Sequence, residues 1–336
     1  MLTTTTGLIA AFVLCAALSL GASSTLIVRI ERLGTRFGVT EAVLGLTAAV
    51  AADAPEITSA VTALARGQHD VGVGVVLGAN VFQLAALLGI GALVARGIAL
   101  DRRVVAFEGV AAAWVALVAL AVVVRGLPGP VALVLALLVF VPYVVVSAMT
   151  PEARARLPLP IRFRDEVDEV LEEEEDQIAD VLGPIRSHRW DGVAALVALV
   201  VVVAASVALE GVATTLGTRW GISDVVLGGI VIAVVTSLPN LVAAVYLARL
   251  GRGAATLSEA MNSNRVNTLA GLLVPAAVIG AGFAAGAASG TTTLAYWYLL
   301  MTVGILTLAY VRRGLGRPAG IAILATYAVV VVSLVR

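Results

Sequence analysis

The chain has 336 residues, of which 60% are hydrophobic and 13% are charged, and its 22 basic residues balance its 22 acidic ones. A charged fraction about half the roughly 25% of ordinary soluble domains excludes a soluble domain and a disordered chain. The zero net charge gives no indication of nucleic-acid binding, and the single cysteine, Cys15, excludes an intrachain disulfide and a cysteine-based metal site.

Ten apolar stretches follow one another along the chain, and each could cross a bilayer, which takes roughly 20 mostly apolar residues in a helix. The N-terminus lacks the basic segment of a signal peptide, so the first stretch is interpreted as a membrane helix. The spans, counted one to ten, lie near 7–28, 39–65, 71–95, 104–124, 130–149, 191–210, 222–248, 256–284, 292–311 and 318–335. We therefore predict an all-α membrane protein with ten transmembrane helices.

A hydrophilic connection near 150–190 separates the first five spans from the last five. Its core reads RDEVDEVLEEEEDQIADVL. Apolar residues at helical spacing predict an amphipathic acidic helix there, namely Val167, Val170, Leu171, Ile178, Val181 and Leu182. Two interpretations stay open: a solvated linker with one face against the bundle, and a cation-gathering or regulatory patch.

The arginine positions predict the orientation. If span one runs from outside to inside, 17 arginines fall in inside connections, four fall outside, and Arg265 lies within a span. We therefore expect an integral plasma (inner) membrane protein with its N-terminus outside and its acidic connection in the cytoplasm.

An internal repeat relates the two halves. A shift of 184 residues superimposes Pro55 on Pro239 and Asn80 on Asn264, all within spans. Because each half holds five spans, an odd number, the second copy must enter the membrane upside down. Inverted repeats with broken helices are typical of secondary transporters. The predicted units are an N-terminal repeat at 1–150 (core 41–93), an acidic loop at 151–190 and a C-terminal inverted repeat at 191–336 (core 223–276).

Two carboxylates lie near the middle of span two. Asp53 and Glu56 are three residues apart and share a helix face. A carboxylate at the bilayer centre is costly unless it is paired, hydrated or coordinated. A bound cation would resolve this cost, as would protonation, and a structural pair with a buried arginine is the other possibility.

The two prolines add a second source of oxygen ligands. Proline cannot donate to the carbonyl four residues earlier, which leaves the carbonyls of Ala51 and Val235 available. Hard cations such as Na⁺ and Ca²⁺ prefer oxygen. The candidate cation-binding side chains are Asp53, Glu56, Asn80, Gln83, Thr236, Ser237, Asn240, Ser263, Asn264 and Asn267.

These residues resemble the sodium/calcium exchanger superfamily of cation/Ca²⁺ antiporters, whose two repeats carry G-T-S-x-P-E on one helix and G-S-N-x-x-(N/D) on the next. The resemblance implies cation ligands at the matching positions, which are Glu56, Asn80, Thr236, Ser237, Ser263 and Asn264.

The motifs also depart from the family pattern. Repeat one reads A-A-D-A-P-E, with Ala52 and Asp53 at the Thr and Ser positions, and repeat two reads V-T-S-L-P-N, with Asn240 in place of the usual Glu. The later Ser is Ala79 in repeat one, and the (N/D) positions hold Gln83 and Asn267. Both site carboxylates therefore belong to repeat one.

Arg265 lies mid-span beside Asn264, where it could modulate the site. A buried arginine stays charged and needs a partner, and Asp53, Glu56 and Glu108 are the alternatives. Helix geometry leaves its direction open. If Asp53, Glu56 and Arg265 are the charges at midplane depth, their sum is about −1, which would favour a monovalent ion or a proton over Ca²⁺.

The leading prediction is a secondary active antiporter that moves Ca²⁺ or another cation against Na⁺ or H⁺ by alternating access. One alternative is a monovalent cation/proton antiporter on the same scaffold, and another is a non-transporting homologue with Arg265 filling the ion site. An intramembrane enzyme is not expected, because no second mid-span Asp faces the first and no nucleophile–base pair is evident. The expected partners are inorganic cations and the bilayer, without a cofactor, and the oligomeric state is open.

Overall fold

The structure is a computed structural model that describes residues 4–37, 47, 49–156, 165, 167–171, 188–279 and 289–335. It consists almost entirely of helices. The helices of the first half are α1 (Thr5–Phe37), α2 (Ala54–Ala65), α3 (His69–Gln83), α4 (Gly91–Val94), α5 (Arg102–Arg125), α6 (Gly129–Ala148) and α7 (Pro151–Arg154). Those of the second half are α8 (Asp191–Trp220), α9 (Asp224–Val226), α10 (Ala233–Thr236), α11 (Leu238–Arg249), α12 (Gly253–Val266), α13 (Val274–Val278), α14 (Ser289–Arg312) and α15 (Arg317–Val335).

Three π-helical segments interrupt these helices, at Leu84–Ile90, Leu227–Ile232 and Asn267–Leu273. The first and third lie in spans three and eight at matching positions of the repeat. An antiparallel ribbon of β1 (Ile98–Ala99) and β2 (Gly314–Leu315) joins the ends of spans three and nine.

Seven helices among the described residues are long and apolar enough to cross a membrane, and an eighth crossing is a broken pair. The pair joins Asp224–Thr236 to Leu238–Arg249 with a bend of 51°. Of the two remaining predicted spans, span two lies partly outside the described residues. Span eight runs from Gly253 to Val278 but carries many polar residues. The protein is thus an all-α membrane protein, as predicted.

The helix breaks in spans two and seven lie at equivalent positions of the two repeats. Span two breaks at Asp53, with φ −83° and ψ −3°, and span seven breaks at Ser237, with φ −82° and ψ 2°. Asp53 and Ser237 are separated by the same 184 residues as the two prolines. In each case the proline lies one residue after the start of the following helix, where its missing N–H is tolerated.

Spans three and seven cross at glycines. A Cβ atom on Gly78 would overlap the backbone of Gly229, and a Cβ on Gly228 would overlap the carbonyl of Val71. Small residues let membrane helices approach closely. This contact brings the break in span seven next to span three, at the centre of the molecule.

Spans one and six pack mainly against each other at the periphery. Asp191 of α8 accepts a 2.7 Å hydrogen bond from Arg29 of α1, and the buried hydroxyls of Ser19 and Ser206 are 2.9 Å apart. At the other end of α8, Glu210 pairs with Arg66, which follows α2.

Part of the acidic connection is a helix that packs on the bundle. Residues 167–171 are helical, and Val167, Val170 and Leu171 are buried. Asp168 accepts a 2.5 Å bond from Arg154, and Glu169 pairs with Arg103. The amphipathic prediction is confirmed for this part, whereas Ile178, Val181 and Leu182 lie outside the described residues.

Candidate cation-binding site

Four spans carry the predicted ligands, and hydrogen bonds join six of them near the two helix breaks, namely Asp53, Glu56, Gln83, Ser237, Asn240 and Ser263. Span two contributes Asp53 and Glu56, span three Asn80 and Gln83, span seven Thr236, Ser237 and Asn240, and span eight Ser263, Asn264 and Asn267. All ten side chains are at most 1% exposed. The sequence shift that pairs the repeats therefore corresponds to a real convergence of polar groups within the apolar core.

Asp53 accepts hydrogen bonds from two other spans at a single oxygen. Its Oδ1 accepts from Asn240 Nδ2 at 2.6 Å and from the Ser263 hydroxyl at 2.5 Å. Asn240 Nδ2 also lies 3.0 Å from the Ser263 oxygen. Spans two, seven and eight thus meet at one carboxylate oxygen.

Gln83 links the second carboxylate to the same group. Its Nε2 lies 3.4 Å from Glu56 Oε1 and 3.4 Å from the Ser237 hydroxyl, and its Oε1 lies 2.9 Å from the Ser263 hydroxyl. Asp53 and Glu56 therefore belong to one continuous hydrogen-bond network, in which Gln83 and Ser263 are the connecting side chains.

Asn80 and Asn264 occupy equivalent positions of the two repeats and form reciprocal hydrogen bonds. Each donates its side-chain amide to the backbone carbonyl of the other at 3.3 Å. Asn80 Nδ2 also donates to the Thr268 hydroxyl at 2.8 Å. These amide nitrogens thus hydrogen-bond spans three and eight to each other. The two amide oxygens accept no hydrogen bond among the described residues.

Several hydrogen-bond acceptors of the cluster have no donor among the described residues. Six side-chain oxygens are buried and have no hydrogen-bond partner among the described residues, namely Asp53 Oδ2, Glu56 Oε2, Asn80 Oδ1, Asn240 Oδ1, Asn264 Oδ1 and Asn267 Oδ1. Buried polar groups are normally satisfied. A set of six buried oxygens with two negative charges suits a hard cation, which binds oxygen alone.

Two predicted ligands have other contacts. The Thr236 hydroxyl donates to its own helix, to the carbonyls of Ile232 at 2.9 Å and Ala233 at 3.3 Å. The Ala51 carbonyl, which Pro55 leaves without a backbone donor, accepts a 2.9 Å bond from the Ser23 hydroxyl. A serine of span one thus replaces the lost backbone donor and occupies one of the two lone pairs of this carbonyl oxygen. Pro239 likewise has no N–H to donate to Val235.

Arg265 is directed away from this cluster. Its Nη2 donates to Glu108, to Tyr143 Oη at 3.0 Å and to Asn262 Oδ1 at 2.5 Å, and its guanidinium lies 4.0 Å from the centre of the Tyr143 ring. Of the three alternatives, Glu108 is the partner. The predicted charge of about −1 for Asp53, Glu56 and Arg265 together is therefore wrong for the site, because Glu108 is also completely buried and balances Arg265. The site retains two uncompensated carboxylates, and Arg265 does not fill it.

Sequence reasoning missed three polar neighbours of the site. Ser23 bonds to Ala51 across spans, Thr268 accepts from Asn80, and the Ser59 hydroxyl is buried without a partner among the described residues. Helical spacing could have indicated two of them, since Ser59 lies three residues after Glu56 and Thr268 lies four after Asn264. No pattern in span one distinguishes Ser23.

No group of three or more His, Cys, Asp and Glu side chains suited to a metal ion occurs among the described residues.

Comparisons with known proteins identify the family and the fold of the chain. The model of the family described as sodium/calcium exchanger protein matches residues 7–150 and 190–336. A solved structure of the sodium-calcium exchanger NCX_Mj, soaked with 2.5 mM Na⁺ and 10 mM Sr²⁺, aligns with a TM-score of 0.61 and 21% identity over 98% of this chain and 100% of that one. Another, soaked with 10 mM Na⁺ and zero Ca²⁺, aligns with a TM-score of 0.62 and 20% identity over 97% and 98%. At this identity the likeness concerns the fold, and it fits the prediction of two inverted five-helix repeats.

A curated relative matches a shorter segment. CaxA of Alkalimonas amylolytica, provisionally named an antiporter, is 31% identical over 87 residues. The match spans 26% of this chain and 27% of the relative.

Proposed function

The chain belongs to the sodium/calcium exchanger family, and from that premise we propose that it exchanges Ca²⁺ for Na⁺ or H⁺ by alternating access. The family membership makes it a cation/Ca²⁺ antiporter of the membrane. The ions, the coupling and the ligand residues are the proposal.

The buried oxygens around Asp53 and Glu56 are the observation that carries the proposal. The two carboxylates are completely buried, and Arg265 is paired with Glu108 instead of with them. Their formal charge of −2 can be neutralised by one divalent cation. Ca²⁺ takes roughly six to eight oxygen ligands, and the six surplus side-chain oxygens supply a set of this kind.

Exchange follows from the cost of charge inside the membrane. Without a bound cation or protons, two buried carboxylates at this depth are strongly unfavourable. A closed site therefore has to carry either one Ca²⁺ or compensating monovalent cations or protons. Because both kinds of ion would use the same carboxylates, their binding is mutually exclusive. After the site has carried one ion across the membrane, it must bind the other ion to return.

The repeats provide the machinery for alternating access. In inverted-repeat transporters, one part rocks against the other around a midplane site made by broken helices. We assign the repeats to 1–150 and 191–336, with the acidic loop at 151–190 between them. We assign the protein to the plasma membrane. The excess of arginine in the connections on one side supports an orientation with the N-terminus outside and this loop in the cytoplasm.

Flux in liposomes tests the proposal. Vesicles loaded with Na⁺ and diluted into Na⁺-free buffer should take up Ca²⁺, or a proton gradient should drive the same uptake, with internal pH and Ca²⁺ followed together. Glu56→Gln should abolish this uptake. Glu152→Gln is a suitable control, because Glu152 is an exposed carboxylate outside the spans.

The outcomes separate the alternatives. A pH change driven by Na⁺ without any Ca²⁺ movement would favour a monovalent cation/proton antiporter, for which Asn240 in place of the usual Glu is the motivating residue. Absence of all ion movement from folded wild-type protein would contradict both transport functions.

A further inference from the structure

The Arg265–Glu108 pair lies beside the cation site without being part of it. Arg265 directly follows Asn264, and Ser263, two residues earlier, lies 2.5 Å from Asp53. The Arg265 side chain nevertheless extends to Glu108 of α5, and both side chains are completely buried. The wall of a cation-binding site thus contains a positive charge that is directed elsewhere.

Glu108 supplies the countercharge that fixes this direction. Of the three groups that Arg265 Nη2 contacts, Tyr143 and Asn262 are neutral and only Glu108 carries charge. The Tyr143 hydroxyl also donates to Glu108 at 2.6 Å, which holds the carboxylate in place. Arg265 Nε and Nη1 have no partner among the described residues.

A guanidinium cannot be discharged, so Arg265 would need another carboxylate if Glu108 were removed. Five acidic side chains are completely buried within the described part of the chain, namely Asp53, Glu56, Glu108, Asp191 and Glu210. Asp191 and Glu210 already pair with Arg29 and Arg66. The remaining two are the site carboxylates, and each has one oxygen without a partner among the described residues. Glu259, six residues before Arg265 on α12, is only partly buried, so water can stabilise its charge.

We propose that Glu108 is a positioning residue for ion selectivity, which keeps Arg265 away from Asp53 and Glu56 and so preserves the double negative charge of the site. Loss of the Glu108 carboxylate releases Arg265 to pair with a site carboxylate. The net site charge then falls to −1, which suits a monovalent cation or a proton. This inference rests on the proposed function, because it concerns the same site.

A double-mutant cycle tests the positioning role. Four purified proteins are compared for equilibrium ⁴⁵Ca²⁺ and ²²Na⁺ binding in detergent: wild type, Glu108→Gln, Arg265→Gln and the double variant. Glu108→Gln should weaken Ca²⁺ binding on the order of a hundredfold, because a positive charge enters the site. The Ca²⁺ affinity of the double variant should be within about threefold of wild type, since it has no arginine at position 265 that could enter the site. Arg265→Gln should also remain within about threefold.

Glu210→Gln is the matched control. Glu210 is as completely buried as Glu108 and also pairs with an arginine, but the side chain of that arginine, Arg66, is 45% exposed. When Glu210 is neutralised, Arg66 can be hydrated, so Ca²⁺ binding should stay within about threefold of wild type. Thermal unfolding of every variant monitors folding separately.

Equal losses in Glu108→Gln and Arg265→Gln, or a double variant as weak as Glu108→Gln, would overturn the inference, because a merely structural pair predicts these results. If Glu108→Gln does not fold, the double variant decides, and a hundredfold weaker Ca²⁺ affinity there contradicts the positioning role. Wild-type protein that binds no Ca²⁺ would contradict the proposed function instead. In that case ²²Na⁺ binding still tests the inference through the number of ions bound. Glu108→Gln should bind fewer Na⁺ ions per protein than wild type, because its site charge is −1, and the double variant should recover the wild-type number. An unchanged number in Glu108→Gln overturns the inference.

Discussion

Asn240 donates a 2.6 Å hydrogen bond from its side-chain amide to Oδ1 of Asp53. These are two of the residues at which the repeats depart from the family pattern, since Asn240 stands at a usual Glu position and Asp53 at a usual Ser position. The Asp53 carboxylate therefore lies in contact with the position that holds Glu in the family pattern.

Exchanging these two residues should preserve cation binding. Asp53→Ser with Asn240→Glu restores the family residues at these two positions and keeps two carboxylates, so we expect Ca²⁺ affinity within about fivefold of wild type. Asp53→Ser alone lowers the site charge to −1 and should lose at least about tenfold in ⁴⁵Ca²⁺ affinity. A double variant no better than Asp53→Ser alone would contradict the compensation.

The glycine crossing of spans three and seven should be intolerant of side chains. A Cβ on Gly78 would overlap the backbone of Gly229, which cannot move like a flexible side chain. We expect Gly78→Ala to destabilise the protein by about 3 kcal/mol. Gly304→Ala is the control, because no atom lies within 4 Å of its Cβ position. Thermal unfolding in detergent measures both, and equal midpoints would refute the contact.

The two asparagines of the central pair should differ in their coupling to Thr268. Asn80 donates to the Thr268 hydroxyl at 2.8 Å, whereas the one acceptor of the Asn264 amide among the described residues is the Asn80 carbonyl. Asn80→Ala and Thr268→Val should therefore be non-additive in unfolding free energy by about 1 kcal/mol. Asn264→Ala and Thr268→Val should be additive to within about 0.5 kcal/mol. The reverse pattern would contradict this geometry.

Ser23 should influence ion binding although it lies outside the motifs. Its hydroxyl bonds to the Ala51 carbonyl, and Ser23→Ala would leave that carbonyl without this donor, destabilising the cation-free protein by about 1–3 kcal/mol. If the carbonyl is a cation ligand, Ca²⁺ relieves part of this cost, so the stabilisation by Ca²⁺ should be larger in the variant.

Ser19→Ala provides the comparison, because Ser19 lies on the same helix and bonds to Ser206 instead of to the site. It should lower stability with and without Ca²⁺ to the same extent. Equal losses with and without Ca²⁺ in Ser23→Ala would exclude the Ala51 carbonyl as a ligand.

The sequence was most informative where a residue type restricts the backbone. Proline 55 and proline 239, at one fixed offset, predicted two helix breaks, and the structure has them at Asp53 and Ser237. The asparagines at the same offset were predicted only as equivalent cation ligands, and the structure adds that Asn80 and Asn264 bond to each other. The prediction of the breaks rests on local chemistry and on the repeat.

The partners of long or common side chains could not be predicted in the same way. The Arg265 side chain can extend in several directions from its helix. It pairs with Glu108 because α5 packs beside it, and this packing is not evident from the sequence. The depth of Glu108 was also missed, because a charge in the first turns of an apolar helix could equally lie at the membrane surface. Ser23 bonds across spans, and its sequence neighbourhood contains no sign of this contact.

Equilibrium binding of ⁴⁵Ca²⁺ to purified wild type and to the Asp53→Asn/Glu56→Gln variant tests the central claim most directly. Wild type should bind Ca²⁺ saturably and release it when Na⁺ or protons are added, and the double variant should bind none at the same concentrations while remaining folded by thermal unfolding. Saturable, Na⁺- or proton-sensitive Ca²⁺ binding that survives in the double variant would contradict the assignment of Asp53 and Glu56 as the charged ligands.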